Sequence, residues 1–127
     1  MAIPYTLEFR SFGDELQVVI RGEERTPESA LASWIDIATE VRLRAPSRLL
    51  AINHVKGEPM QVDSMRGFFA SMSGLGMEGV RVAYVDMQGF KTPLMETAEI
   101  LASEHGFAAR VFDNRVAAEL WLRHGQH

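Results

Sequence analysis

Cysteine is absent from the 127 residues of this chain. Without thiols the chain cannot form disulfides, thiolate metal sites or a cysteine nucleophile, and this composition suits a reducing compartment. An excess of positive charge is also missing, because the formal net charge is -4 at pH 7. A nucleic-acid-binding protein needs a basic surface that displaces counterions from phosphates, so we expect no nucleic-acid partner.

Long apolar runs are lacking as well. No stretch approaches the roughly 20 apolar residues that a membrane span needs, and the first residues do not show the basic segment and apolar run of a signal peptide. We therefore expect a cytoplasmic protein without a membrane span. Hydrophobic residues make up 46% of the chain, which is ordinary for a globular protein and predicts a single domain, residues 1–127, around one core.

The first element that the residues predict is a hairpin. Apolar and polar residues alternate on both sides of Gly13-Asp14 between Tyr5 and Gly22. A period of two is typical of strands with one face on a core, and glycine with aspartate is typical of a turn. Further strands are predicted at 48–55, 80–85 and 109–112.

Four segments with helical spacing lie between and after these strands. Thr26-Pro27 and Thr92-Pro93 are helix starts, because a hydroxyl cap precedes a proline at the first helical position. The first helix is predicted to bury a stripe of apolar residues: Leu31, Trp34, Ile35, Ala38 and Val41. The second has an apolar side made of Val62, Met65, Phe68, Phe69 and Met72. The third turns Leu94, Ala98, Leu101 and Ala102 inward, and the last, after Asp113-Asn114, carries Val116, Ala117, Leu120 and Trp121.

The predicted order is ββαβαβαβα. Strands joined by helices cannot be tight antiparallel neighbours, so the later strands should be parallel. We expect an α/β fold with a mixed, mostly parallel sheet of about five strands and an antiparallel hairpin at its start.

Residues that could carry chemistry are few. The four histidines are scattered, which predicts no metal site, and no cofactor is expected. Asp86 follows a predicted strand, where open α/β sheets place their sites, but we interpret it as a loop aspartate. The methionines around the second helix have two interpretations, since thioethers fill gaps in cores and also form adaptable binding surfaces.

The second half resembles the SpoIIAA-like group of STAS-type domains. The segments that carry the resemblance are 81–86, 100–106, 109–113 and 116–122: a strand, a helix that ends in glycine, a short strand that ends in Phe-Asp, and a helix with Ala and Trp-Leu. The resemblance implies the same fold and a small regulatory or protein-interaction module rather than an enzyme. Its partners would be proteins, including a kinase or a regulator, and a homodimer is compatible with it.

Two functional hypotheses follow. In anti-sigma-factor antagonists of this superfamily a serine after an aspartate is phosphorylated at the start of a helix, and Asp63-Ser64 stands near that place. Ser64 is therefore the phosphoacceptor candidate that the resemblance implies, or else an ordinary helix-start residue. The alternative is a binder of apolar or lipid ligands in a groove between helices and sheet. The candidate surface is the same for a partner and for an apolar ligand: Met65, Phe68, Phe69 and Met72.

Overall fold

The computed structural model of this chain describes residues 4–87 and 92–125. The protein is an α/β fold with the element order ββαβαβαβα, as predicted. Its elements are β1 (Tyr5–Phe12), β2 (Glu15–Gly22), α1 (Pro27–Arg44), β3 (Arg48–Asn53), α2 (Val62–Met72), β4 (Arg81–Asp86), α3 (Thr92–Glu104), β5 (Ala108–Phe112) and α4 (Arg115–His124).

The five strands form one sheet in the order β1-β2-β3-β4-β5. The pair β1–β2 is antiparallel, and the pairs β2–β3, β3–β4 and β4–β5 are parallel. The predicted hairpin and its Gly13-Asp14 turn are therefore confirmed. Because β2 to β5 are parallel to one another, their carboxyl ends lie along one edge of the sheet.

The two faces of the sheet are covered differently. Helices α1, α2 and α3 lie on one face, over the residues Leu16, Val18, Ile20, Leu49, Ala51, Val82 and Tyr84. Helix α4 lies on the other, over Leu50, Ile52, Ala83 and Val85. Successive strand residues point to opposite faces, which is why buried positions of both sets occur side by side in β3 and β4.

Local signals explain where the helices begin. The Thr26 hydroxyl accepts a hydrogen bond from the Ser29 amide, and the Ser29 hydroxyl accepts one from the Thr26 amide, which completes a capping box ahead of Pro27. The Asn114 side chain caps α4 by accepting from the Ala117 amide. The predicted cap by the Thr92 side chain lies outside the described residues, as does His127.

Two apolar faces differ from the sequence pattern. In α1 the prediction is confirmed for Ala38 and Val41, which are buried, and for Leu31 and Trp34, which pack against the core. It is wrong for Ile35, which is exposed, and Ile37 is buried instead. In α4 the buried residues are Ala118 and Leu122, whereas Val116 and Leu120 face solvent. Residues two apart in a helix are about 200° apart around its axis, so each misassigned residue lies on the side opposite the buried one. The predicted inward residues of α3 are confirmed, since Ala98, Leu101 and Ala102 are buried and Leu94 packs beside them.

Candidate functional site

The backbone of helix α2 lies away from the sheet, although its side chains, such as Met72, pack against the core that the strands form. It packs between α1 and α3, and within the described part of the chain no Cα of α2 lies within 8 Å of a strand Cα. The space under it is a cavity of about 160 Å³. An apolar cavity of about 150 Å³ in another protein stays dry and binds benzene or xenon, so this space is large enough for a ring-sized molecule.

Most of the cavity wall is apolar. Its helical side is formed by the candidate residues Met65, Phe68, Phe69 and Met72, together with Trp34 from α1 and Ala98 and Ala102 from α3. Aromatic rings are in contact around it: the Trp34 centroid lies 6.4 Å from that of Phe68 and 6.1 Å from that of Tyr84, and the Phe69 centroid lies 6.0 Å from that of Phe107.

The four candidate residues of α2 therefore share one location, the inner side of the helix. Met65 and Met72 are buried, and Phe68 and Phe69 are half-buried. All four line the cavity instead of presenting an outer surface. The predicted apolar side of α2 is confirmed, while their role in binding a partner or a ligand remains a prediction.

A polar cluster closes one end of the cavity, at the carboxyl edge of the parallel strands. Asp86 is the last residue of β4 and is completely buried. It lies beside Asn53, the last residue of β3, in the parallel pairing of the two strands. The Arg25 guanidinium reaches both carboxylate oxygens of Asp86, at 3.1 and 3.2 Å, and donates to the Val55 carbonyl at 3.2 Å. The interpretation of Asp86 as a loop residue was thus wrong: it is a strand residue in a buried ion pair.

The loop after β3 passes close to Arg25 at Gly57. Gly57 has a φ of +118°, and a Cβ there would lie 3.3 Å from the Arg25 Cβ and amide nitrogen. A side chain at that position would be strained by the backbone conformation and crowded by Arg25. A residue with a side chain at position 57 would therefore disturb the loop where it passes Arg25.

Most polar side chains that line the cavity already have protein partners. Ser33 donates to the Ala30 carbonyl, Glu99 accepts from the Val111 amide and pairs with Arg110, and the Tyr5 hydroxyl donates to Asp36 at 2.6 Å. Two nitrogens differ: Asn53 Nδ2 and Arg25 Nε are buried and find no hydrogen-bond acceptor among the described residues. Buried donors are normally paired, so these two atoms mark a place where a ligand could bind.

Two tyrosines next to the cavity have perturbed acidity. Burial, followed by the hydrogen bond to Asp36 and its charge, raises the pKa of Tyr5 to about 12. Burial also raises the pKa of Tyr84, and the negative charge of Asp86 acts in the same direction. Both phenols therefore stay neutral at physiological pH and contribute no charge to the wall of the cavity.

Ser64 lies outside this cavity, in the first turn of α2. It is half-buried and lines a second space of about 220 Å³ between the start of α2 and the start of α1. The Arg25 side chain lines both spaces. The residue before the helix, Gln61, makes no side-chain capping hydrogen bond, so the first-turn amides of α2 are not satisfied by a cap.

The sequence analysis missed Arg25, Asn53 and Tyr84. One signal was available, because Asn53 is a polar residue at the end of an otherwise apolar run that was predicted to be a buried strand. Arg25 carries no such signal, since it is one of several charged residues in a turn. Only the fold brings it to Asp86, which is 61 positions away in the sequence.

Neither a metal site nor a membrane helix is present in the described parts of the chain. Within residues 4–87 and 92–125, no three His, Asp or Glu residues cluster closely enough to hold a metal ion. Over the same ranges, no helix has both the length and the apolar character required to cross a bilayer.

Comparisons with known proteins add little to this geometry. No protein-family model matches the sequence, and no curated protein shows significant similarity to it. Among solved structures, the chain is similar to one in the crystal structure of the diguanylate cyclase SiaD in complex with its activator SiaC from Pseudomonas aeruginosa. The identity is 11%, the match covers 85% of this chain and 92% of that one, and the TM-score is 0.39. A likeness of this extent carries no functional inference.

Proposed function

We propose that this chain is a cytoplasmic, non-enzymatic module of the SpoIIAA-like or STAS type that binds a small apolar molecule beneath α2. The observation that carries the proposal is the cavity of about 160 Å³ between α2 and the sheet. An apolar molecule in this space would contact the apolar wall residues and take their apolar surface out of water, which is favourable. Of the two functional hypotheses drawn from the sequence, apolar-ligand binding is the one that this geometry favours.

The arrangement of charges supports binding rather than catalysis. Glu99 lines the cavity and is paired with Arg110, Asp86 at its polar end is paired with Arg25, and the third carboxylate, on Glu24, is exposed. A general acid or base has to exchange a proton with a substrate within hydrogen-bond reach, and a carboxylate that is held by an arginine is less available for this exchange.

Filling the cavity tests the proposal. Ala98 lines the space from α3, so Ala98→Leu places three additional carbons in it. We expect toluene to bind the wild-type protein and to bind Ala98→Leu at least about tenfold more weakly, as measured by isothermal titration calorimetry. The variant should keep or raise the urea midpoint of unfolding, because filling a cavity adds contacts.

Ala70→Leu is the matched control, since Ala70 is on the exposed side of α2. It makes the same chemical change outside the cavity and should bind toluene like the wild type. Equal toluene affinity in all three proteins, or no binding to the wild type, would contradict the proposal.

A second candidate function is a phosphoserine switch at Ser64 that controls a protein partner. The specific observation in its favour is the position of Ser64 in the first turn of α2, where Gln61 provides no side-chain cap. A phosphate near the amino end of a helix is stabilised by the free amides and by the helix dipole. Opposing charges are nearby, because Asp63 is adjacent and Glu58 lines the same space.

Mass spectrometry of the protein isolated from its own cells tests this candidate. We expect a fraction with one added phosphate that disappears in Ser64→Ala and persists in Ser71→Ala. Ser71 is a suitable control because it is an exposed serine of the same helix. A chain without phosphate under all growth conditions tested, or a phosphate retained in Ser64→Ala, would remove Ser64 from the account.

A further inference from the structure

The polar end of the cavity contains two hydrogen-bond donors that the protein does not use. Asn53 is 4% exposed, and its Nδ2 has no acceptor among the described residues. Arg25 Nε is also buried and has no acceptor among the described residues. The Arg25 guanidinium is paired with Asp86, and Asp86 lies beside Asn53 on the neighbouring strand. Both donors therefore lie at the same end of the cavity, at the carboxyl edge of β3 and β4.

The chemistry of these donors restricts what can pair with them. An amide NH2 and a guanidinium N–H donate and cannot accept, so the complementary group is an acceptor oxygen or nitrogen. Leaving a buried donor unpaired destabilises the folded chain, and a ligand acceptor would remove that loss.

The charges around the cavity restrict the charge of this ligand group as well. Among the described residues, the cationic side chains that line the cavity are those of Arg25 and Arg110, which pair with Asp86 at 3.1 Å and with Glu99 at 3.7 Å. The other charged residue that lines this end is the acidic, exposed Glu24. A carboxylate or phosphate would lose its hydration here without gaining an unpaired cation, which is unfavourable.

We infer that the ligand is a ring-sized apolar molecule that carries a neutral hydrogen-bond acceptor, such as a ketone or amide carbonyl, and that Asn53 recognises this acceptor. The inference rests on the proposed function, since it specifies the ligand class of the same cavity. The apolar part of the ligand lies among the methionines and aromatic rings, and the carbonyl faces the carboxyl ends of β3 and β4.

A matched pair of probes distinguishes apolar binding in the cavity from recognition of an acceptor by Asn53. Cyclohexanone and methylenecyclohexane have nearly the same shape, and the first has a C=O where the second has a C=CH2. In Asn53→Leu we expect the dissociation constant of cyclohexanone to rise about tenfold and that of methylenecyclohexane to stay within about twofold of the wild-type value. The control Met65→Leu changes the apolar wall with little change in volume, so it should alter both constants by a similar factor.

A second measurement does not depend on any variant. In the wild-type protein, cyclohexanone should shift the side-chain amide resonances of Asn53 in a 1H–15N NMR spectrum, and methylenecyclohexane should shift them much less. The inference would be overturned if Asn53→Leu changed the dissociation constants of both probes equally, or if both probes shifted the Asn53 amide resonances to the same extent. Apolar binding would remain intact in either case. Binding of neither probe to the wild type would overturn the proposed function and the inference with it.

Discussion

At the scale of single residues, Arg25 connects the parts of the site. It makes a bidentate ion pair with Asp86, donates to the Val55 carbonyl and lines both spaces beside α2. Its side chain is 9% exposed and that of Asp86 is 0% exposed. Removing one member of so deeply buried a pair leaves a charge with reduced compensation in a medium that solvates it poorly.

Substituting Arg25 should therefore cost much more than substituting a similar residue at the surface. We expect Arg25→Met to lower the free energy of unfolding by about 3 kcal/mol. Arg21→Met is the matched control, because the pair of Arg21 with Glu8 is largely exposed, and it should cost less than about 1 kcal/mol. Urea unfolding of the three proteins measures both values, and equal losses would show that the buried pair has no special role.

Residue patterns also explain why the polar cluster was hard to predict. Asp86 ends a strand that the sequence placed one residue too early, at 80–85, so it was interpreted as part of a loop. Its burial and its partner depend on the pairing of β3 with β4 and on the turn before α1. Contacts between residues so far apart in sequence leave no periodic trace in the chain.

At the scale of elements, strong local signals predicted most of the fold. The capping box at Thr26, the proline after it and the alternation in the hairpin all act over a few residues, and the structure has α1, β1 and β2 at those places. The buried face of α1 was predicted correctly except at Ile35, because Ile35 and Ile37 are both apolar and lie on different sides of the helix. Ile37 is the isoleucine that is buried in the core, so at this position tertiary packing overrides the local pattern.

Helix α4 is attached to its face of the sheet by a charged contact as well as by Ala118 and Leu122. Glu15 in β2 is 2% exposed, and Arg123 donates two hydrogen bonds of 3.0 Å to its carboxylate. The Arg123 hydrogen bonds hold the pKa of Glu15 below its usual value of 4.5, and burial opposes this effect only in part. The folded state therefore favours the ionised form of Glu15.

The lowered pKa of Glu15 determines how the stability of the fold depends on pH. A carboxyl group whose pKa is lower in the folded state adds stability above its unfolded pKa and loses it as the pH falls through the folded value. We expect Glu15→Gln to be less stable than the wild type by about 2 kcal/mol at pH 7. The difference should shrink as the pH falls below 4.5, which urea unfolding at several pH values would measure. A difference that is constant from pH 7 to pH 3 would contradict it.

At the scale of the whole molecule, the two faces of the sheet differ in packing. The α4 face is closed by the tight contacts of Ala118 and Leu122 with β3 and β4, whereas the opposite face has a space beneath α2. The sequence predicted which residues of α2 are apolar but not that a cavity lies below them. A cavity depends on the distance between a helix and a sheet, and that distance is set by how α1 and α3 hold α2.

The central claim is that this space accepts an apolar molecule, and methionine methyl NMR tests it most directly. Met65 and Met72 line the cavity, while Met87 is exposed and lies outside it. With 13C-methyl methionine, we expect toluene to shift the Met65 and Met72 resonances of the wild type in a saturable way, to leave Met87 unchanged, and to have little effect on Ala98→Leu. Shifts at Met87 that equal those of Met65 and Met72, or no shift at all, would contradict the account.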